Sequence, residues 1–350
     1  MSDLSRATIF KVGPMEAAEA VSEIIELRGV IKPNEVVIPA AKLAFSIGGG
    51  IFAGTEYIEL LESGSKSLCT LLQFPHHLLK KLTPRTRAAM FAELFGAKFP
   101  DEHCFVQLRC AGETERKLRA ILSTKQVVFN DRDVFANVIH ATEGFTVDCY
   151  WADDYVSAIR FRAIEPLLKW QELPIYVGFD VVNSEVRDRS LEIRGVLWIG
   201  DFAIIPPKLI YWSFKGKNNH IGDLRGLATC AKSLSVKLLG EDFKTPTLNA
   251  LNRLRNETLS VGWELKNFFK RDIFTELDIL KFLEGAYQPS SDVSYNNPRW
   301  RGKDAYALCD MEKNTRMPAI DFICMVSNFA KGFDTYAKRS SLEFGLNLLF

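Results

Sequence analysis

The chain has 350 residues, 47% of them hydrophobic and 25% charged, which fits a globular fold and excludes a disordered, collagenous or coiled-coil chain. Its formal net charge is +1, from 44 Lys+Arg against 43 Asp+Glu, so bulk charge does not mark a nucleic-acid binder. Asp3, Arg6 and Lys11 interrupt the start, and the longest apolar runs, 36–45 and 202–207, are far shorter than the roughly 20 residues of a membrane span, so neither a secretory signal nor a membrane helix is expected. The 7 cysteines are widely spaced and odd in number, which argues against a disulfide framework or a zinc ribbon and fits reduced thiols in a cytosolic protein.

In chain order, Pro14 stands at an expected first helical position, with Ala17, Val21, Ile24 and Ile25 at helical spacing up to Gly29. Glu16, Glu19, Glu23 and Glu26 make the other face of that helix acidic. Residues 36–47 and 51–60 read as two strands around Gly48-Gly49-Gly50. Helical stretches follow over 66–72, from Pro75 through Leu82, and from Pro84 through Leu94. After Pro100 the pattern turns to strands, 104–110 and 118–122, then an Asp131-capped helix over 134–140. Two hairpins are expected next: 146–151 with 156–163 about Asp153-Asp154, and 175–182 with 191–199 about 183–190. Thr245-Pro246 reads as a helix start, and Leu248, Leu251, Leu254, Val261, Leu265 and Phe268 continue at helical spacing as one long amphipathic helix. A helix over 273–283, a loop over 287–297, and helices over 319–329 and 340–349 complete the reading.

Charge is segregated along this neutral chain. Residues 1–64 hold 5 Lys+Arg against 9 Asp+Glu, residues 80–132 hold 11 against 6, and residues 207–271 hold 12 against 5. Phosphate binding needs local positive potential, so basic blocks of this kind suit one basic groove. The stretch from Trp212 to His220 interleaves Trp212 and Phe214, which could stack on bases, with Lys215 and Lys217, which could meet phosphates; a surface hairpin with solvated lysines is the plainer alternative. Arg253, Arg255, Lys266, Lys270 and Arg271 lie on or beside the long helix. Arg160 and Arg162 share one strand face, so both are expected to meet solvent, an anion, or a cross-strand acid such as Asp148.

Catalytic motifs are missing from the sequence. The 48–50 glycines lack the lysine and hydroxyl of a phosphate-binding loop, and adjacent His76 and His77 would point about 100° apart on a helix, unable to share a metal. One enzyme reading survives: a Mg²⁺-dependent nuclease in which Asp180 on one strand and Glu192 on the next hold the metal beside Arg194. Arginine cannot act as a base at neutral pH, and Glu192 between Leu191 and Ile193 also fits an exposed strand face.

Several segments share an order with a known family. These are Val36-Val37-Ile38-Pro39, Lys42-Leu43-Ala44-Phe45, Thr55-Glu56-Tyr57, Leu71-Leu72-Gln73-Phe74-Pro75, Arg119-Ala120-Ile121-Leu122-Ser123, Phe129-Asn130-Asp131, Asn183-Ser184-Glu185 and Asn297-Pro298-Arg299-Trp300. In that order they resemble the phage/plasmid-like protein family, a domain family of unknown function carried on mobile elements. The resemblance implies a mobile-element protein in the bacterial cytoplasm and transfers no catalytic residues.

The expected fold is therefore α+β: a central antiparallel sheet of hairpins backed by a long amphipathic helix, with a helical C-terminal part. Three parts are expected, 1–99, 100–286 and 287–350, the last of which can join the rest as one compact unit. The leading functional expectation is a phage- or plasmid-encoded DNA-binding protein that favours single strands and anneals them or assists recombination, without a cofactor and as a homo-oligomer. Its groove would comprise Arg160, Arg162, Lys215, Lys217, Arg253 and Lys270, with Trp212 and Phe214 stacking. A non-catalytic interaction protein, such as a host-defence antagonist or assembly factor, is the alternative, and the nuclease is the third.

Overall fold

The computed structural model describes residues 9–28, 35–101, 103–111, 116–124, 129–139, 142–186, 188–205, 211–214, 225–269, 273–275, 277–279, 281–282, 316–333 and 335–349. Its first half runs β1 (Ile9–Met15), α1 (Ala17–Arg28), β2 (Glu35–Pro39), β3 (Leu43–Phe45), β4 (Gly50–Ala53), β5 (Glu56–Leu60), α2 (Glu62–Leu72), α3 (Pro84–Lys98), β6 (Phe105–Ala111), β7 (Lys117–Ser123) and α4 (Asp131–Ile139). The second half continues β8 (Phe145–Ala152), β9 (Ser157–Ala163), β10 (Leu168–Trp170), β11 (Leu173–Asn183), β12 (Leu191–Ile199), β13 (Phe202–Ile204), β14 (Tyr211–Phe214), α5 (Arg225–Leu239), α6 (Glu241–Asn256), β15 (Thr258–Ser260), α7 (Val261–Phe269), β16 (Arg316–Pro318), α8 (Ala319–Lys331) and α9 (Tyr336–Gly345). This is an α+β fold, as the alternation of strand and helix periods in the sequence implies.

One sheet has the order β1-β8-β9-β11-β12-β13, with β10 beside β11 and β14 beside β12. A second has the order β2-β6-β7-β5-β4-β3 and contains a parallel contact between β5 and β7. Both expected hairpins, β8 with β9 and β11 with β12, form neighbours in the first sheet. The chain divides into two compact units, one of residues 1–160, 181–193 and 212–231, the other of 161–180, 194–211 and 232–350. They interleave along the chain, where the expected parts, divided at 99/100 and 286/287, are consecutive.

In the first unit, α2 buries Leu68 and Cys69 in a core with Ile51, Ile58, Phe91, Phe95, Val106, Leu108, Leu118 and Ile121. Each fully buried side chain of this size contributes about 1.5–3 kcal/mol. Gly64 lets α2 sit directly on β7, since a Cβ there would lie 2.3 Å from the Leu118 carbonyl oxygen. Thr83 caps α3 by accepting a hydrogen bond from the Thr86 N–H at 3.2 Å, with Pro84 at the first helical position. The turn at 46–50 closes through the Ser46 N–H and the Gly50 carbonyl at 2.9 Å, the strand-to-strand turn expected of the 48–50 glycines.

The second unit packs Val196, Trp198, Ala203 and Ile205 with Tyr176, and gathers Phe269, Phe274, Phe282, Phe329 and Phe333 edge to face. Gly178 allows β11 to approach Phe161, whose carbonyl oxygen would be 1.9 Å from a Cβ.

Five expectations need correction. Pro14 lies inside β1, which pairs antiparallel with β8 and shifts register between Val12 and Met15; a proline without an N–H fits such an irregular edge. Residues 36–47 form β2, a 3-10 turn over Ala40–Lys42 and β3, because Pro39 ends the first pairing and the Ala40 N–H bonds to Cys104 instead. Residues 51–60 likewise break into β4 and β5, which pair with each other as a hairpin. The long helix is interrupted: α6 ends at Asn256, and β15 pairs with distant β16, Leu259 opposite Met317, before α7 begins. Moreover α6 starts just after Gly240 with Glu241 and Asp242 in its first turn, where acids favour the helix dipole, leaving Pro246 internal. The loop expected over 287–297 lies outside the described residues.

Candidate functional site

The basic block 207–271 folds, in its described part, largely as three helices, of which α6, α7 and the part of α5 from Lys232 onward belong to the second unit. Lys232 and Lys237 are exposed on α5, and Arg253 and Arg255 are exposed on α6. Arg253 donates through Nη2 to the Leu349 carbonyl at 3.2 Å. Trp263 on α7 is 60% exposed, a large indole left in water beside Lys266 three residues on. Lys215, Lys217 and Lys270 lie outside the described residues; Trp212 and Phe214 lie on β14.

Arg160 departs from expectation. Its side chain is fully buried, with the guanidinium 5.2 Å from the Trp151 ring centroid, because strand alternation sets its face but a central strand has both faces covered. Buried there, Arg160 cannot meet a polymer phosphate, and it leaves the proposed groove. Arg162 is half-buried, its guanidinium 4.0 Å from the Tyr176 ring centroid.

The nuclease pair is also altered by burial. Asp180 is fully buried, with Arg194 Nη2 at 3.7 Å, and the Arg194 guanidinium lies 5.4 Å from the Tyr336 ring centroid. A carboxylate held by arginine and out of water is poorly placed to bind a hydrated magnesium ion. Glu192 on β12 is half-buried. Among the described residues, no group of three or more His, Cys, Asp or Glu is placed to hold a metal ion. Burial pushes the Cys69 and Cys324 thiols up to about 11, and raises those of Cys110 and Cys230, so these are poor thiolate nucleophiles at neutral pH.

A site that the sequence reading did not find lies in the first unit. An open groove of about 670 Å³ runs between α2, the end of β7, Tyr155, Val186 and Asp188. Lys66 of α2 bonds to Asp188 at 2.5 Å and lies 5.0 Å from the Tyr155 ring centroid. Lys98, the last residue of α3, adds an exposed second cation to the rim. Ser67 is occupied structurally, donating to the Ile121 carbonyl at 2.9 Å and accepting from the Ile121 N–H at 3.1 Å. Ser63 differs: it is 2% exposed, and its hydroxyl has no hydrogen-bond partner among the described residues. Lys98 belongs to the basic block 80–132 visible in the sequence, whereas nothing local marks Lys66 or Tyr155.

Behind the groove stands a buried polar network. Arg119 Nη1 donates to Glu185 Oε2 at 2.5 Å, and Arg119 Nη2 donates to the Asp154 carbonyl at 3.2 Å. Glu185 Oε1 accepts from the Asp131 N–H at 2.9 Å. The Asp131 carboxylate accepts from Ser157 Oγ at 2.6 Å and from Asn183 Nδ2 at 2.7 Å. Each buried charge here has a hydrogen-bonding partner, the condition under which a buried network fixes a conformation. It joins three segments that carried the family resemblance, those around Arg119, Asp131 and Asn183-Ser184-Glu185. Ser184 then fixes the groove's edge, donating to the Tyr155 carbonyl at 2.7 Å and accepting from the Asp188 N–H at 2.9 Å.

Comparisons with protein-family models, curated proteins and solved structures found no match. The family resemblance therefore rests on the quoted segments alone. No helix of the described residues is long and apolar enough to cross a membrane.

Proposed function

We propose that this chain is a nucleic-acid-binding protein of a mobile element, acting in the bacterial cytoplasm, that favours single strands and assists annealing or recombination. The observation that supports this best is the basic block 207–271, with 12 Lys+Arg against 5 Asp+Glu, which presents exposed Lys232, Lys237, Arg253 and Arg255 together with the exposed Trp263 indole. Cations supply counterion release along a phosphate backbone, and an exposed indole supplies a stacking face that tolerates any base. Lys215, Lys217 and Lys270 add to the same block in sequence, and repeated subunits would hold a strand in register.

The test is a salt titration of binding to labelled single- and double-stranded oligonucleotides. The expected result is tighter binding to single strands and a log–log salt slope of several units, about one per phosphate contact. Arg253→Ala with Arg255→Ala is expected to lower that slope, as is Lys215→Ala with Lys217→Ala. Trp263→Ala is expected to weaken binding with the slope kept. Absence of binding to any oligonucleotide at low salt overturns the reading.

A second reading has its own observation. Glu19 and Glu26 are exposed along α1, with exposed Glu16 just before it, an acidic face suited to a basic protein partner. A non-catalytic interaction protein is then the conclusion if nucleic acid fails to bind.

A further inference from the structure

We infer that the groove between α2 and the end of β7 is a second binding site, one for a nucleoside monophosphate, either free or as the 5′-phosphorylated end of a strand. It lies entirely within the first unit and uses none of the residues invoked for strand binding.

Its size suits that class. The groove of about 670 Å³ falls inside the range of roughly 300–1,000 Å³ typical of small-molecule sites. Its lining is divided in character: Lys66, Lys98 and Ser63 supply cations and a hydroxyl, the Thr70 hydroxyl being taken up by the Lys66 carbonyl at 2.9 Å, while Leu122 and Val186 supply an apolar wall. A ligand that matches both needs an anionic group at one end and a flat, weakly polar body at the other. Lysine is a point-charge binder of phosphate, and two lysines on different helices can contact one phosphate from two sides. The apolar wall then takes the base.

Two details point to a ligand instead of a merely solvated cleft. The first is Ser63, whose buried hydroxyl lacks a partner although groups this deeply buried are nearly always hydrogen-bonded. The second is the Lys66–Asp188 pair, in which a protein carboxylate already occupies the lysine in the groove. An incoming phosphate competes with that carboxylate, so Asp188 sets the affinity from the opposite side.

The competition gives the test a direction that a bland surface effect does not share. Binding of AMP is measured by calorimetry at low salt in the full chain, with circular dichroism confirming that each variant is folded. Lys66→Met and Lys98→Ala are each expected to weaken AMP binding by about tenfold, the scale of one lost charge-assisted hydrogen bond. Asp188→Asn is expected to tighten it severalfold, because Lys66 is released. Ribose 5-phosphate, which lacks the base, is expected to bind at least about tenfold more weakly than AMP. A 5′-phosphorylated oligonucleotide preferred over its 5′-hydroxyl counterpart, with the preference lost in Lys98→Ala, assigns the site to strand ends; AMP binding without that preference assigns it to free nucleotides.

Saturable AMP binding that ignores Lys66→Met and Lys98→Ala overturns the inference. So does ribose 5-phosphate binding as tightly as AMP, or no saturable binding of either AMP or a 5′-phosphorylated end. The double variant Lys215→Ala with Lys217→Ala leaves AMP binding unchanged, so failure here and failure of the strand-binding reading are separate results.

Discussion

The two units each bury an arginine beside a carboxylate, and they do it differently. In the first unit Arg119 meets Glu185 at 2.5 Å, and Glu185 is held in turn by the Asp131 N–H. In the second, Arg194 stands 3.7 Å from Asp180 with its guanidinium over the Tyr336 ring. The difference shows what a buried ion pair can be used for. Arg119 belongs to a network that ties together segments near residues 119, 131, 154–157 and 183–185, so it specifies how strands distant in sequence meet. Arg194 and Asp180 join two strands near one hairpin, where backbone pairing already fixes the geometry, and the aromatic ring shares the charge.

That contrast can be broken by mutation. Glu185→Ala is expected to have the largest effect, about 3–5 kcal/mol of lost stability, because it removes the carboxylate that meets the buried Arg119 and accepts from the Asp131 N–H. Urea unfolding measures this directly. Asp180→Ala is expected to cost about 1–3 kcal/mol in the same assay, the desolvation of a group whose ring contact remains. Equal losses in the two variants would erase the distinction drawn between the units.

Smaller effects sharpen it. Thr83→Ala removes the cap of α3 and is expected to cost about 1 kcal/mol, a local loss confined to the first unit. The Asp278–Lys338 pair of the second unit gives the smallest change. Burial raises the Asp278 carboxyl, but hydrogen bonds from Lys338 and Thr275 outweigh that and hold it below its ordinary value. A carboxyl lowered in the folded state stabilises above its unfolded pKa, and that stability is lost as pH falls through the folded pKa. Asp278→Asn is therefore expected to lower the melting temperature slightly at neutral pH, by the equivalent of about 0.2–1 kcal/mol for a partly exposed pair, and to match the parent in strong acid. A deficit that persists unchanged into strong acid would assign the effect to packing.

Local pattern carried much of the architecture. The hairpin about Asp153-Asp154 was legible because its arms alternate and the acids punctuate them, and α3 was legible because Thr83-Pro84 is a start signal used as such. Thr245-Pro246 is the same signal and is not used, since Gly240 with Glu241 and Asp242 opens the helix one turn earlier. Thr258–Ser260 could not be read as a strand, because its reason to be one is Arg316–Pro318, more than fifty residues away. β1 was hidden by Gly13-Pro14, which looks like a helix boundary until β8 is there to pair with it.

The functional residues divide along the same line. Alternation placed Arg160 and Arg162 on one strand face, but sequence does not say which faces a neighbouring element covers, and Arg160 is buried. Lys66, Lys98 and Tyr155 are scattered over some ninety positions on separate elements and line one groove only in the folded chain, where α2 lies on β7 at Gly64. The Arg119, Asp131 and Asn183-Ser184-Glu185 segments were visible as motif-like stretches; their shared role as one buried network was not.

Each unit is assembled from three separate stretches of chain, and β9, β11 and β12 contribute residues to both. No single cut of the polypeptide can therefore release either half intact. A truncated fragment ending near residue 160 would lack the loop that supplies Glu185 and so take away the carboxylate that meets the buried Arg119. A protease nick in one shared strand would be felt in two hydrophobic interiors at once, so both should melt together, and dissection by gene truncation should yield insoluble pieces where point substitution yields folded protein.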